Sequence, residues 1–349
     1  MPVRAAVFGP YLSRRMSPRR PTLAAAALAG LVAVSGDASA RTNLNDAFFA
    51  AARAALAHDA DGQPPSAPAG PPPGARASEA TSIDAGIPAQ SGWRYLAPAR
   101  TFEALTADPR WPAFTAFYRF QSGGRFLDEY EAISFGDSIA LARGPIELFG
   151  RDLEFETGVQ GAVFAAFNPH SPSQDLINAD YAAGAFASLR DGPWSAMFRY
   201  WHISGHVGDE FLLRDEIYPG ATRVNFKFDS FQLLVSRDLP GGLRAYGGPA
   251  LMNAEPSAYT DFLFQAGLEW HPSVRLLGRA RPVVAADVKT FGESELKPDL
   301  SVRAGFSIDA ARRSPALQLL GEAYVGRDPN GQFFDDNIVY YGVGVQIRL

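Results

Sequence analysis

The sequence has no cysteine among its 349 residues, which excludes disulfides, thiolate metal sites and cysteine nucleophiles. No internal stretch reaches the roughly 18 continuous apolar residues that a membrane-spanning helix needs. There is no basic stripe either. The 32 Lys and Arg are interspersed with 37 Asp and Glu for a net charge of −5, and nothing in that pattern calls for a nucleic-acid partner. A membrane protein built from strands escapes the helix test, because each strand shows lipid only every second residue. What the chain does hold is 12% aromatic residues and 33 Gly, a composition suited to strands joined by tight turns.

The first forty residues read as an address. Arg14, Arg15, Arg19 and Arg20 form a basic cluster, an apolar run follows from Leu23 to Val34, and Ala38-Ser39-Ala40 closes the segment. These are the three regions of a secretory signal peptide, expected over 1–40, with Met16 as an alternative start. Residues 41–94 are expected to be a low-complexity periplasmic linker or plug. A short Ala-rich helix fits Asn45 to Ala57, but DGQPPSAPAGPPPGAR at 61–76 cannot bury a core.

From Trp111 onward, alternating segments recur between turn residues. The last strand is the clearest. Tyr341, Val343, Val345, Ile347 and Leu349 alternate with Gly342, Gly344, Gln346 and Arg348, so one face suits lipid and the other a polar lumen. Leu153, Phe155, Val159 and Val163 likewise oppose Asp152, Glu154, Glu156 and Gln160. In 223–228 the reading places Val224, Phe226 and Phe228 on the lipid face, opposite Arg223, Asn225 and Lys227. Twelve strands are expected, near 112–120, 129–142, 152–167, 178–190, 194–205, 222–237, 243–253, 260–270, 279–290, 299–309, 316–326 and 337–349. Short connections after the fourth, sixth and tenth strands alternate with longer polar ones. Short turns on one side and long loops on the other are the pattern of an outer-membrane barrel, and an even strand count puts both ends in the periplasm. The expected fold over 95–349 is therefore all-β: an antiparallel transmembrane barrel of about twelve strands. The alternative is a soluble secreted β-sandwich binding protein, whose strands also alternate.

Five segments carry a family resemblance: Ser134 to Asp137 (SFGD), Asp175 to Tyr181 (DLINADY), His206 to Leu212 (HVGDEFL), Asp238 to Leu243 (DLPGGL) and Pro329 to Phe333 (PNGQF). On these the chain resembles a family of uncharacterised bacterial outer-membrane proteins, domain of unknown function twelve-hundred-and-seven, over about residues 95–349. The resemblance implies a barrel in the outer membrane of a Gram-negative bacterium and no particular activity. Gly344, Ile347 and Leu349 are also spaced like the C-terminal signal read by the barrel-assembly machinery, which usually ends in Phe.

One constellation is suited to chemistry. In WSAMFRYWHISG, His202 and Ser204 are two apart and share a face, opposite in parity to Arg199. If Arg199 faces the lumen, the pair faces lipid, at the strand end leading into a long outer loop. A serine nucleophile needs an imidazole to take its proton and a third group to orient that imidazole. The His-x-Ser pair resembles that of outer-membrane phospholipase A and of the lipid A 3-O-deacylase barrel. That resemblance implies His202 as general base and Ser204 as nucleophile, with Asn225, Asp209 or Glu210 as the orienting group. Gly205-His206 stands where the phospholipase has Asn-Gly. The plain alternative places His202 and Tyr200 in an interfacial girdle. A separate reading takes His206, Asp209 and Glu210, with His202, as metal ligands: zinc for imidazole with carboxylate, calcium for carboxylates with carbonyls. Two functions therefore stay open: a structural or transport-related barrel with Glu154, Glu156, Arg199, Lys227 and Arg303 lining its lumen, or a hydrolase acting on phospholipid or lipid A. The expected partners are outer-membrane lipids and lipopolysaccharide.

Overall fold

The structure is a computed structural model, and it describes residues 92–255, 262–276, 280–292, 298–308 and 316–348. The expected signal peptide, nearly all of the expected linker, and Leu349 lie outside the described residues. Among the described residues, thirteen strands form one antiparallel sheet. They are β1 (Arg94–Pro98), β2 (Phe114–Ser122), β3 (Glu129–Leu148), β4 (Arg151–Phe167), β5 (Leu176–Asp191), β6 (Trp194–Val207) and β7 (Lys227–Leu239). After these come β8 (Leu243–Glu255), β9 (Phe262–Trp270), β10 (Ala280–Phe291), β11 (Asp299–Ile308), β12 (Ala316–Arg327) and β13 (Asn337–Arg348). Each strand from β2 to β13 pairs with the next, and β13 pairs back onto β2, with Val343 opposite Tyr118. The twelve strands thus close on themselves. No edge is left for a second sheet, so the β-sandwich alternative is corrected. No helix among the described residues is long and apolar enough to cross a membrane.

The two parities face different media. On β6, Ser195, Met197, Arg199, Trp201 and Ile203 are buried, whereas Phe198 on the other parity is 52% exposed. On β7, Phe231, Leu233 and Val235 point outward, and Ser230, Gln232, Leu234 and Ser236 point inward. The outer wall is an apolar, aromatic surface. On it Phe120 stacks on Tyr341 and Phe198 on Phe231. Inside, Arg119, Arg303 and Glu322 form a buried ion-pair triad, and Arg244 pairs with Glu269 at 3.1 Å. Glu156, Arg199 and Arg303 are inside as the alternation requires. Glu154 shares their parity but sits at the rim, half exposed and paired with Arg143. Lys227 is a correction: it points outward and pairs with Glu255 at 3.2 Å. The whole segment 223–228 is read the wrong way round by its alternation. Phe226 is buried and Phe228 half-buried, while Asn225 is exposed.

The lumen is filled by residues 99–113. β1 pairs with β3 at Ala142 and Ile139, beyond the point where β2 leaves off, and the chain then turns inward. Thr101 to Asp108 are almost wholly buried without forming regular structure. Such a segment survives only if its backbone polar groups find partners, and here the barrel wall supplies them. Glu156 of β4 accepts from the Arg100 amide (2.9 Å), and Glu269 of β9 accepts from the Thr106 amide (2.6 Å). Arg190, Arg244 and Arg303 donate to the carbonyls of Thr101, Glu103 and Thr106 at 2.9–3.0 Å. Lys289 and Gln265 bind the Asp108 carboxylate, and Arg110 pairs with Asp180. Phe102, Leu105 and Trp111 pack on Phe186, Met197, Leu234 and Tyr246, at about 1.5–3 kcal/mol for each large apolar side chain buried.

The two ends differ. At the end where β2 starts and β13 finishes, β3–β4 and β5–β6 are joined by two residues each, and β7–β8 by Pro240–Gly242. Gly241 and Gly242 have φ of 77° and 82°, a conformation glycine adopts without steric cost. At the opposite end the β6–β7 connection holds a short helix, α1 (Asp209–Leu213). There Phe211 and Tyr218 cluster with Ile177 and with Phe333 of the β12–β13 loop. That loop folds over the lumen: the Gly331 amide donates to Asp180 (2.9 Å) and the Gln332 amide to Asn178 (3.2 Å).

Candidate functional site on the outer wall

The outward parity of β6 carries Tyr200, His202, Ser204 and His206 toward the end with the long connection. In the β6–β7 register His202 lies opposite Asp229 and Ser204 opposite Lys227. Directly opposed residues on one face bring their side chains into contact. Accordingly His202 Nδ1 lies 2.9 Å from Asp229 Oδ1, and Tyr200 Oη donates to the same oxygen. Ser204 Oγ lies 3.3 Å from His206 Nε2, and the His206 ring stands edge-on to Tyr181 at 5.2 Å. The patch is half exposed: His202 shows 39% and Asp229 37% of its side chain.

The arrangement splits the chemistry between two imidazoles. One, His202, is held by a carboxylate. The other, His206, touches the serine hydroxyl. His202 and Ser204 both face outward, but the hydrogen bond of Ser204 goes to His206. The orienting groups expected from sequence are placed elsewhere. Asn225 donates to Glu255 at 3.4 Å. Asp209 and Glu210 belong to α1, where Asp209 is exposed. The metal reading is corrected as well: among the described residues no three His, Asp or Glu side chains gather as a site for an ion, so His206, Asp209 and Glu210 do not form the expected zinc or calcium cluster. The residue sequence reasoning missed is Asp229. It stands on the outward parity of Phe231, Leu233 and Val235, and an ionisable residue within an exposed apolar stripe is itself a signal of function.

The family model described as "Protein of unknown function (DUF1207)" matches residues 50–348. No curated protein matches the sequence. Among solved structures, the chain is similar to an outer membrane phospholipase dimer from Salmonella typhi with bound calcium, with a TM-score of 0.49 at 13% identity over 68% of this chain and 91% of that one. It is similar to outer membrane phospholipase A from Escherichia coli, with a TM-score of 0.47 at 14% identity over 70% and 92%. The β domain of the Bordetella autotransporter BrkA gives a TM-score of 0.36 at 14% identity over 67% and 97%.

Proposed function

The chain belongs to the DUF1207 family of proteins of unknown function, and from that premise we propose that it is an outer-membrane β-barrel with a closed lumen, which serves the membrane through its wall and outer surface and does not conduct. The observation that carries this reading is the plug of residues 99–113, whose backbone is tied to inward-facing charges on β4, β5, β8, β9 and β11. An apolar outer wall and a charged interior fit lipid outside and a packed polar core inside. In this reading residues 1–40 direct secretion, 41–94 form a periplasmic linker, and the barrel-assembly machinery inserts the barrel among outer-membrane lipids and lipopolysaccharide. Fractionation of the expressing cell tests the location. The protein should stay with outer membranes and require detergent for extraction, and recovery in a detergent-free soluble fraction would overturn the proposal.

A second reading is favoured by the carboxylate on His202. In it the outer wall is a lipid acyl hydrolase. Ser204 Oγ attacks the ester carbonyl and its proton passes to the imidazole at hydrogen-bond distance, His206. That imidazole returns the proton to the departing alcohol, and water then releases the acyl group from the serine. His202, fixed by Asp229, is the neighbouring polar group on the same face and helps to position the ester. Turnover of phospholipid vesicles by the purified protein and by Ser204→Ala tests it.

A further inference from the structure

Between the plug and the outer loops lies a chamber whose enclosed part is about 80 Å³, room for several water-sized groups, and which widens into open space at its mouth. One side is apolar. Met252 of β8, Leu263 of β9 and Phe291 of β10 form a buried cluster, with Phe228 of β7 packed against it. The other side presents Arg199, which is 6% exposed. Its Nε donates to the neutral Gln232 at 2.8 Å, and its guanidinium lies over Trp111 and Trp201. Its Nη1 has no hydrogen-bond partner, and neither does the buried Ser301 Oγ, which also lines the chamber. The carboxylates facing Arg199 are already engaged: Asp108 by Lys289, and Asp287 by Tyr246 and Gln265. A buried guanidinium with a spare donor lacks an anion or a strong acceptor, because an unsatisfied buried polar group costs about 1–3 kcal/mol, and more when it is charged.

We infer that this chamber binds an amphipathic carboxylate of the fatty-acid type, its head on Arg199 and Ser301 and its chain along Phe228, Met252, Leu263 and Phe291. The polar and apolar sides face one cavity, so one molecule satisfies both. A purely ionic ligand would leave the apolar side unused, and a pure hydrocarbon would leave Arg199 unsatisfied. This site is separate from the outer-wall patch and does not depend on what that patch does.

The test uses the full chain in phosphatidylcholine nanodiscs, titrated calorimetrically with dodecanoate after subtraction of uptake by empty nanodiscs. Saturable binding near one per barrel is expected, with dodecanol and butyrate each at least about tenfold weaker. Arg199→Gln should weaken dodecanoate by about tenfold or more. Met252→Trp, which fills the apolar side, should abolish binding without touching the head site. Heat-dependent gel mobility confirms that each variant is a folded barrel. Ser301→Ala, a minimal change, keeps the test open should Arg199→Gln fail to fold, and it should weaken binding several-fold. Absence of saturable binding, equal binding of dodecanol, or binding unchanged by Met252→Trp would each overturn the assignment.

Discussion

At the scale of single residues, the two carboxylates that stand out do opposite things. Asp229 is on the outer wall and holds His202. If the wall patch hydrolyses esters, Ser204→Ala should remove all but background turnover. Asp229→Asn loosens His202 and leaves the proton acceptor His206 in place, so it should lower turnover by a smaller factor, about 10–100-fold, the scale of a misplaced positioning group. Equal turnover by the parent and Ser204→Ala would leave this patch as girdle. Asp328 sits in the β12–β13 loop, fully buried, and burial pushes its carboxyl up to about 7. Asn330 donates to it, Asp336 raises it further and Arg110 opposes the rise. The folded protein therefore keeps a proton on Asp328 that the unfolded chain has released once the pH passes 3.8. Stability from this group is complete below that value, falls as pH rises, and is gone above about 7. Asp328→Asn is neutral at every pH and accepts the same two hydrogen bonds. It should match the parent near pH 4 and exceed it by up to about 4 kcal/mol at pH 8 in denaturant unfolding. A difference independent of pH would refute the assignment.

At the scale of elements, the strands were legible and the plug was not. The strand expected at 337–349 is Asn337–Arg348, and that expected at 152–167 is Arg151–Phe167. Both have one parity on the apolar outer face and one on the polar interior, so two-residue periodicity finds them. The strand expected at 222–237 starts five residues late, at Lys227, with its first residues on the opposite face. The physical reason is the apolar chamber side. There Phe226 and Phe228 point inward, and the apolar parity switches from even to odd numbers between Phe228 and Phe231. Residues 99–113 carry no period at all, because their conformation is set by wall partners more than fifty residues away. Three of the five segments that carried the family resemblance meet at the outer mouth, through Asn178 and Asp180, Phe211, and Gly331 to Phe333. Local spacing could show the segments but not their convergence. The absence of native cysteine makes the plug directly testable. Ala107→Cys, at a position wholly buried, should resist a water-soluble maleimide in the folded barrel and react after heat denaturation. Rapid labelling of the folded protein would show that residues 99–113 leave the lumen.

For the whole molecule, closure is the claim from which the rest follows. Inward charges that line a pore and inward charges that pack a core look alike in sequence: the alternation marks Glu156, Arg199 and Arg303 as luminal in either case. Only their partners decide between the two. Arg303 binds Glu322 and the Thr106 carbonyl, and Glu156 binds the Arg100 amide, so these charges hold a plug in place of hydrating an ion path. The same closure creates the chamber above the plug and leaves the outer wall as the apolar surface that the proposed function sets against lipid. Single-channel recording in planar bilayers tests this most directly, with the parent protein beside a variant in which residues 99–110 are replaced by a Gly/Ser linker of equal length. The account predicts a silent parent and stepwise conductance from the variant; steady open-channel current from the parent would contradict it.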